Sequence, residues 1–264
     1  MHMRNCLINE IPKNTSIRLF CFHFAGGGAS CFNSWAKVLG EDLAVCPIQL
    51  PGRESRFREP RITNFNDLIC QLYDQLQPYL NQPYAFYGHS LGALIAYAIA
   101  HKRHQLSLRL PLVLFVGAHR APHIPYSFPS CNSMSFDELK GLLSKFEGIP
   151  ESILRNEEWM EALLPLLKDD LLLCESYEHQ SWEALPCPIY AFGGASDRMV
   201  SQFEILAWCQ HTKAEFRSYF YPEGHFFIKS QRTQLPNAIA LAIQQNLPRF
   251  MDSSLSGIAR LVRQ

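Results

Sequence analysis

The stretch YAFYGHSLGALIAYAIA, residues 84–100, decides the fold. Its first four residues are apolar or aromatic, as in a short buried strand, and its last ten favour a helix. Between them lies the G-x-S-x-G motif Gly88-His89-Ser90-Leu91-Gly92. A strand-to-helix turn needs glycine on both sides of the serine only if the turn is too tight for a Cβ. Such a turn, called a nucleophile elbow, projects the serine hydroxyl beyond the sheet. An ordinary glycine-rich turn is the alternative interpretation.

Strands and helices alternate along the rest of the chain. The predicted strands cover residues 17–24, 43–50, 84–87, 110–117, 188–192 and 215–221, and the predicted helices cover 30–39, 64–80, 91–100, 201–210 and 235–246. Short apolar strands separated by helices predict an α/β fold, with a mostly parallel central sheet and helices on both faces. We therefore expect one domain over residues 1–264.

The alternation is interrupted between the fourth and fifth strands. Residues 135–180 have the pattern of helices alone. Ser135 and Glu138 form a capping box, and Asn156 can cap a second helix that we expect to bend at Pro165. We interpret residues 126–182 as a helical lid insertion.

Composition excludes several classes of protein. The 264 residues carry 24 basic and 24 acidic side chains, and 47% of the residues are hydrophobic, which excludes intrinsic disorder. Without a basic excess, neither nucleic acid nor an anionic membrane is an expected partner. The longest apolar run, Ala93–Ala100, is far shorter than the roughly 20 residues that cross a bilayer. The N-terminal residues lack the apolar stretch of a secretory signal, so we expect a cytoplasmic protein.

The nine cysteines contain no C-x-x-C pair. They therefore indicate neither a disulfide framework nor a thiolate zinc site, and we expect them to be small buried side chains in a reducing compartment. We expect no metal and no cofactor, and a monomeric protein.

A serine nucleophile needs a base to take its proton and an acid to orient that base. After a serine elbow, the acid and then the histidine follow on loops at the carboxyl ends of later strands. Only His225 stands alone just past the last predicted strand, although it could also be a half-buried loop imidazole. Asp197 follows the fifth strand in a glycine-rich turn. Asp169 and Asp170 compete for the role of the acid, but a solvated helix face is their more ordinary explanation.

The oxyanion of the reaction needs two backbone N–H donors. We expect one from Leu91, which follows the nucleophile, and the other from Ala25, which precedes the glycines at 26–28. The glycine run is also a weak phosphate-loop signal. It lacks a following Lys-Ser/Thr and a G-x-G-x-x-G spacing, which argues against a nucleotide site.

Five motifs together resemble the type II thioesterases, stand-alone α/β-hydrolases that serve polyketide and non-ribosomal peptide synthetases. They are HFAGG at 23–27, LPGRE at 50–54, GHSLG at 88–92, FGG at 192–194 leading to Asp197, and GHFF at 224–227. LPGRE is far more specific than the elbow, which α/β-hydrolases at large share. The resemblance runs from about residue 17 to 248. It implies the α/β-hydrolase fold and the triad Ser90, Asp197 and His225.

The resemblance also implies a reaction. Such enzymes hydrolyse acyl groups held as thioesters on the phosphopantetheine arm of acyl or peptidyl carrier proteins, in editing or release, and the arm belongs to the substrate. A carboxylesterase or lipase of the same fold is the alternative. A non-catalytic hydrolase-like binding module is a third reading.

The insertion contains leucines at helical spacing that could form an acyl pocket: Leu139, Leu142, Leu143, Leu163, Leu164 and Leu167. The other reading, that they simply pack on the sheet, could hold for half of them.

The zero net charge results from two parts of the chain whose opposite charges cancel. Residues 136–180 hold 11 acidic and 4 basic side chains, net −7, so the remainder carries +7. Four arginines of that remainder, Arg53, Arg56, Arg58 and Arg61, lie in the loop after the second strand, on the same predicted sheet edge as Ser90. We hypothesise that Arg53, Arg56 and Arg58 help dock an acidic carrier protein. A solvated loop, partly paired with its own glutamates, explains them equally well.

Overall fold

The computed structural model describes residues 5–12, 15–40, 43–126, 130–145 and 156–261. A six-stranded sheet lies at its centre, and every neighbouring pair of strands is parallel. The strands are β1 (Ile17–Phe22), β2 (Leu43–Ile48), β3 (Tyr84–His89), β4 (Leu114–Gly117), β5 (Ile189–Gly194) and β6 (Phe216–Tyr221), in the order β2-β1-β3-β4-β5-β6. The predicted parallel α/β architecture is confirmed.

The described helices follow the predicted alternation. They are α1 (Trp35–Leu39), α2 (Phe65–Leu76), α3 (Leu91–Gln105), α4 (Phe136–Lys145), α5 (Glu157–Glu175), α6 (Gln202–Leu206), α7 (Phe227–Ser230) and α8 (Gln234–Leu261). Most boundaries differ from the prediction by a few residues, and two of these differences are informative. The fourth strand begins at Leu114 rather than at residue 110, since Pro111 has no N–H to donate to a ladder. The last helix extends past residue 246 to Leu261.

Both faces of the sheet are covered. Along β1, Phe20 and Phe22 belong to the core under α2 and α3, whereas Leu19 and Cys21 belong to the core under α1 and α8. This alternation is the period of two that strand geometry imposes on side chains. The central strands are therefore buried on both sides, whereas the edge strand β6 is partly exposed. The loops are left to form a site at the carboxyl edge of the sheet.

The apolar run at 93–100 lies within α3, where every one of its residues is buried. None of the helices described here is long and apolar enough to span a bilayer.

Six of the nine cysteines are buried as expected, but Cys70 and Cys209 are exposed. Burial raises the pKa of Cys6 and of Cys46 to about 12, so these thiols stay protonated.

The predicted insertion lies between β4 and β5 and contains α4 and α5. Its two predicted caps are present. Ser135 Oγ accepts from the Glu138 N–H, while the Glu138 carboxylate accepts from the Ser135 N–H, and Asn156 caps α5 by accepting from the Trp159 N–H. The helix α5 continues through Pro165, and the expected bend there stays a prediction.

The insertion has an apolar cluster of its own. Leu139, Leu164 and Leu167 are buried in it with Cys131 and Met160. Leu163 is half-buried, and the side chains of Leu142 and Leu143 lie outside the described residues.

Backbone packs closely against backbone at the turn between β3 and α3. Ser90 has a φ of 54° and a ψ of −119°, a strained backbone conformation for a residue other than glycine. A Cβ on Gly88 would overlap the carbonyl of Gly92, and a Cβ on Gly92 would overlap the carbonyl of Phe22 at the end of β1. Both glycines of the motif are therefore required by close backbone contacts.

Replacing Gly92 with alanine should destabilise the protein by about 3 kcal/mol or more, because the new methyl group meets backbone that cannot move aside. Urea unfolding would measure this loss. Gly141→Ala is the matched control: it lies in α4 with open space around its Cβ position, and should stabilise by roughly 0.5–1 kcal/mol. Equal stability of the two variants would contradict the claim that the backbone around Gly92 leaves no space for a Cβ.

Candidate active site

Three loops at the carboxyl edge of the sheet bring Ser90, His225 and Asp197 into contact. The Ser90 Oγ lies 3.0 Å from His225 Nε2, and His225 Nδ1 lies 2.8 Å from Asp197 Oδ2. Both distances are those of hydrogen bonds. The residues selected by chain order thus form a continuous relay from hydroxyl to imidazole to carboxylate.

Asp197 is held for this contact. Its Oδ1 accepts hydrogen bonds from the N–H groups of Met199, at 2.7 Å, and Val200, at 3.1 Å, while its Oδ2 faces His225. The carboxylate side chain has no exposed surface. We assign the histidine tautomer with a proton on Nδ1, which donates to Asp197 and leaves Nε2 free to accept from Ser90.

The acid loop and the histidine loop are fastened to each other through backbone. The Ala195 N–H donates to the Tyr221 carbonyl at 2.6 Å, and the Ser196 N–H donates to the Glu223 carbonyl at 3.1 Å. A Cβ on Gly194 would overlap the carbonyl of Gly224. Gly194, the last residue of β5, is therefore needed for the close approach that brings Asp197 within reach of His225.

His89, the variable position of the elbow motif, contacts the backbone of His225. Its Nε2 lies 2.8 Å from the His225 carbonyl and its Nδ1 lies 3.1 Å from the Tyr87 hydroxyl. Burial lowers the pKa of His89 well below its usual value, so the ring is neutral and can donate from Nε2 while accepting at Nδ1. His89 is not among the site residues predicted from the sequence. A histidine in an otherwise buried strand, which must find hydrogen-bond partners, was the available signal.

Two backbone N–H groups suit the predicted oxyanion hole. Leu91 opens α3, and the first N–H groups of a helix have no acceptor within it. In the loop after β1, the Gly26 N–H donates to Asp170 at 2.7 Å and the Gly27 N–H donates to the Phe24 carbonyl at 3.0 Å. Within the described parts of the chain, the Ala25 N–H makes no hydrogen bond. The Ala25 N–H is therefore free to serve as the predicted donor.

Two of the three predicted docking arginines are buried, and for them that prediction is wrong. Arg53, 6% exposed, forms a two-pronged ion pair with Asp170, with distances of 2.5 and 2.7 Å. Arg56 is 2% exposed and binds the Glu59 carboxylate and the Gln49 carbonyl. Their guanidinium groups are engaged inside the molecule. Arg58 is exposed beside Phe57 and stays a candidate.

The acidic pair of the insertion also differs from expectation. Asp170 is buried rather than solvated, and Asp169 pairs with Arg61 at 2.5 Å. Of the carboxylates that competed for the role of the acid, Asp197 faces His225, whereas Asp170 faces Arg53. Part of the opposite charge of insertion and body is neutralised where the two meet.

Comparison with known proteins adds a family and several relatives. Residues 17–243 match the family described as "Thioesterase domain". The chain is 38% identical over 231 residues to the gramicidin S biosynthesis protein GrsT of Aneurinibacillus migulanus, covering 88% of this chain and 89% of GrsT. Among solved structures, it is similar to the thioesterase RedJ from the prodiginine pathway of Streptomyces coelicolor, with a TM-score of 0.81, 32% identity, and coverage of 87% of this chain and 91% of RedJ. It is also similar to BorB, a type II thioesterase from the borrelidin biosynthetic cluster, with a TM-score of 0.80, 30% identity, and coverage of 91% and 96%.

The geometry predicts that Ser90 is unusually reactive. A fluorophosphonate probe should label the native protein on the peptide that contains Ser90, and mass spectrometry would locate the adduct. Asp197→Asn should slow labelling by a factor on the order of 10³–10⁴, because the imidazole loses its orienting carboxylate. Asp67→Asn, the same change on an exposed residue of α2, should label normally. Labelling on another serine, or equal rates in the two variants, would contradict the assignment.

Proposed function

This chain belongs to the thioesterase domain family, and from that premise we propose that it hydrolyses acyl thioesters carried on the phosphopantetheine arm of carrier proteins. The observation that carries the proposal is the relay of 3.0 and 2.8 Å that joins Ser90, His225 and Asp197 at the sheet edge. Such a relay activates a serine hydroxyl for acyl transfer.

Acylation uses each group in the position described. Ser90 Oγ attacks the thioester carbonyl while His225 Nε2 takes its proton, and the Asp197 carboxylate stabilises the imidazolium. The oxyanion is held by the N–H groups of Leu91 and Ala25, with the N-terminus of α3 adding favourable partial charge. The C–S bond then breaks, and His225 returns the proton to the departing pantetheine thiolate.

Deacylation repeats these steps with water. His225 takes a proton from a water molecule, which attacks the acyl-Ser90 ester, and the second oxyanion is held by the same two N–H groups. Collapse of the tetrahedral adduct breaks the ester bond, and the proton on His225 goes to Ser90 Oγ. The products are the free acid and the enzyme in its starting state.

The partner we infer is an acyl or peptidyl carrier protein of a polyketide or non-ribosomal peptide synthetase. GrsT is a protein of gramicidin S biosynthesis and BorB comes from the borrelidin biosynthetic cluster, which supports this class of partner. The substrate brings its own phosphopantetheine arm, so the reaction uses side chains and backbone N–H groups of this chain together with water. We further propose that the protein acts as a monomer in the cytoplasm.

We infer that the acyl chain lies against the apolar cluster of the insertion. Ala25, the expected oxyanion donor, packs against that cluster, so the cluster reaches the place where the thioester carbonyl must sit. Leu167 belongs both to the cluster and to the surroundings of Gly26. An apolar surface beside the oxyanion loop favours acyl chains over polar acids.

Ser90→Ala and His225→Ala should each lose on the order of a millionfold in turnover of acyl-loaded carrier protein, because the relay acts as a unit. Release of free acid from a panel of acyl-loaded carrier proteins measures this. Gly141→Ala serves as a folded control with full activity. More than a few per cent activity in either relay variant would show that another group does the chemistry.

The same panel separates the esterase alternative. A carrier-directed thioesterase should have a higher kcat/KM on acyl carrier protein than on a p-nitrophenyl ester of the same acyl chain. The reverse order would replace our proposal with a small-ester carboxylesterase.

Arg58→Glu should lower kcat/KM on acyl carrier protein by roughly three- to tenfold, because charge reversal at an exposed docking site slows association with an acidic partner. Hydrolysis of free acyl-pantetheine should be unchanged. Lys213→Glu, an exposed reversal beyond β5 and away from this loop, is the control. Equal losses on both substrates would exclude docking at Arg58.

A further inference from the structure

The ion pair of Arg53 and Asp170 has no place in the relay, yet it is among the most buried charged groups described. Asp170 is 1% exposed and Arg53 is 6% exposed. Two parallel hydrogen bonds join them, from Nη1 to Oδ2 at 2.5 Å and from Nη2 to Oδ1 at 2.7 Å. A buried pair of this kind is weak evidence for stability by itself, since desolvation offsets its attraction.

Both partners of the pair reach the loop that follows β1. Asp170 Oδ2 accepts from the Gly26 N–H at 2.7 Å, and Arg53 Nη1 lies 3.4 Å from the Gly27 carbonyl. The insertion approaches the same loop through Leu167, whose Cδ1 lies 3.0 Å from the position of a Cβ on Gly26. One ion pair thus holds the two residues that follow Ala25.

The segment that contains Arg53 supports the loop at a second place. Glu54 accepts from the Ser30 hydroxyl at 2.5 Å and from the Ser30 N–H at 3.3 Å, and its carboxylate occupies the space that a Cβ on Gly28 would need. The LPGRE motif therefore acts here as a support for the loop between β1 and α1.

These contacts determine where the Ala25 N–H points. That N–H and the Phe24 carbonyl belong to one planar peptide unit and point in opposite directions, so holding the carbonyl orients the N–H. The Gly27 N–H holds the Phe24 carbonyl at 3.0 Å, and His23 Nδ1 lies 2.9 Å from the same oxygen. Gly27 is in turn held by Arg53.

We propose that Asp170 is a positioning residue, which through Arg53 and Gly26 fixes the Ala25 N–H as an oxyanion donor, so that the hole is complete only when α5 of the insertion is seated. Asp170 touches neither the reacting atoms nor the relay. The proposal rests on the proposed function for its substrate, but not for its geometry. It gives the helical insertion a part in transition-state binding as well as in holding the acyl chain.

Asp170→Asn tests the proposal most directly. The amide oxygen can still accept one hydrogen bond, but the charge that holds Arg53 is lost. We expect kcat on acyl carrier protein to fall about 10²- to 10³-fold, as for loss of one oxyanion donor, with KM within about threefold of the native value. Asp169→Asn is the matched control: it removes the neighbouring ion pair with Arg61 from the same helix, and should change kcat less than about threefold.

A boronic acid gives a readout that needs no turnover. An alkylboronic acid forms a B–O bond with Ser90 Oγ while the serine proton passes to His225, and the tetrahedral boronate places an oxygen in the oxyanion hole. Its inhibition constant, or its dissociation constant by calorimetry, should rise in Asp170→Asn by a factor close to the loss in kcat. If the native enzyme binds the boronate but does not hydrolyse carrier thioesters, the proposed function fails. The boronate affinity of Asp170→Asn relative to the native enzyme then tests this inference by itself.

Two further variants separate positioning from folding. Arg53→Lys keeps the charge but cannot contact both carboxylate oxygens and the Gly27 carbonyl, so we expect a folded protein with about a tenfold loss in kcat and in boronate affinity. The exchange Arg53→Asp with Asp170→Arg restores opposite charges without returning a carboxylate to the Gly26 N–H, and should remain impaired. Native kcat and boronate affinity in Arg53→Lys, or full recovery in the exchanged protein, would overturn the proposal.

Discussion

The close contact between the start of α3 and the end of β1 is the constraint on which the rest of the site depends. Gly92 leaves no space for a Cβ above the Phe22 carbonyl, so the helix begins directly beside the strand. The loop that follows β1 begins at the next residue, and the Ser90 turn begins two residues before Gly92. One contact therefore places the nucleophile, the Leu91 N–H and the Ala25 loop around one small space. The strained φ of Ser90 is sustained by this packing.

The two sides of that space are held by different interactions. On the side of the base, backbone hydrogen bonds join the loops after β5 and β6, and His89 supports the carbonyl of His225. On the side of the oxyanion, side chains from the LPGRE segment and the insertion hold the loop after β1. The opposite charges of insertion and body meet in the pairs of Asp169 with Arg61 and Asp170 with Arg53. The charge asymmetry predicted from the sequence is thus partly neutralised inside the molecule, where the insertion and the body meet.

The sequence predicted the relay because its members obey a rule of order along the chain. Ser90 lies in a glycine turn that only a tight elbow requires, and His225 stands alone after the last strand, so few alternatives remained. The strands were predicted well because buried parallel strands are short apolar runs. The start of β4 was predicted too early because the apolar run includes Pro111. Proline has no N–H to donate, so the hydrogen-bond ladder begins only after it.

The burial and the partners of the charged residues could not be predicted from the sequence. Arg53 and Arg56 were counted as surface cations because residue type suggests exposure, but their burial depends on partners distant in the chain, Asp170 among them. His89 was passed over because the motif leaves its position variable. Such contacts emerge only when the segments are placed together in space.

The central claim is that this chain cleaves a carrier-bound thioester through an acyl group on Ser90. Rapid mixing of the enzyme with acyl-loaded carrier protein, acid quenching and mass spectrometry of the digested enzyme would test it directly. We predict that the Ser90 peptide gains the mass of the acyl group, and that one equivalent of carrier thiol is released no later than the free acid. Release of free acid at full rate with no acylated peptide at any time point would contradict the account.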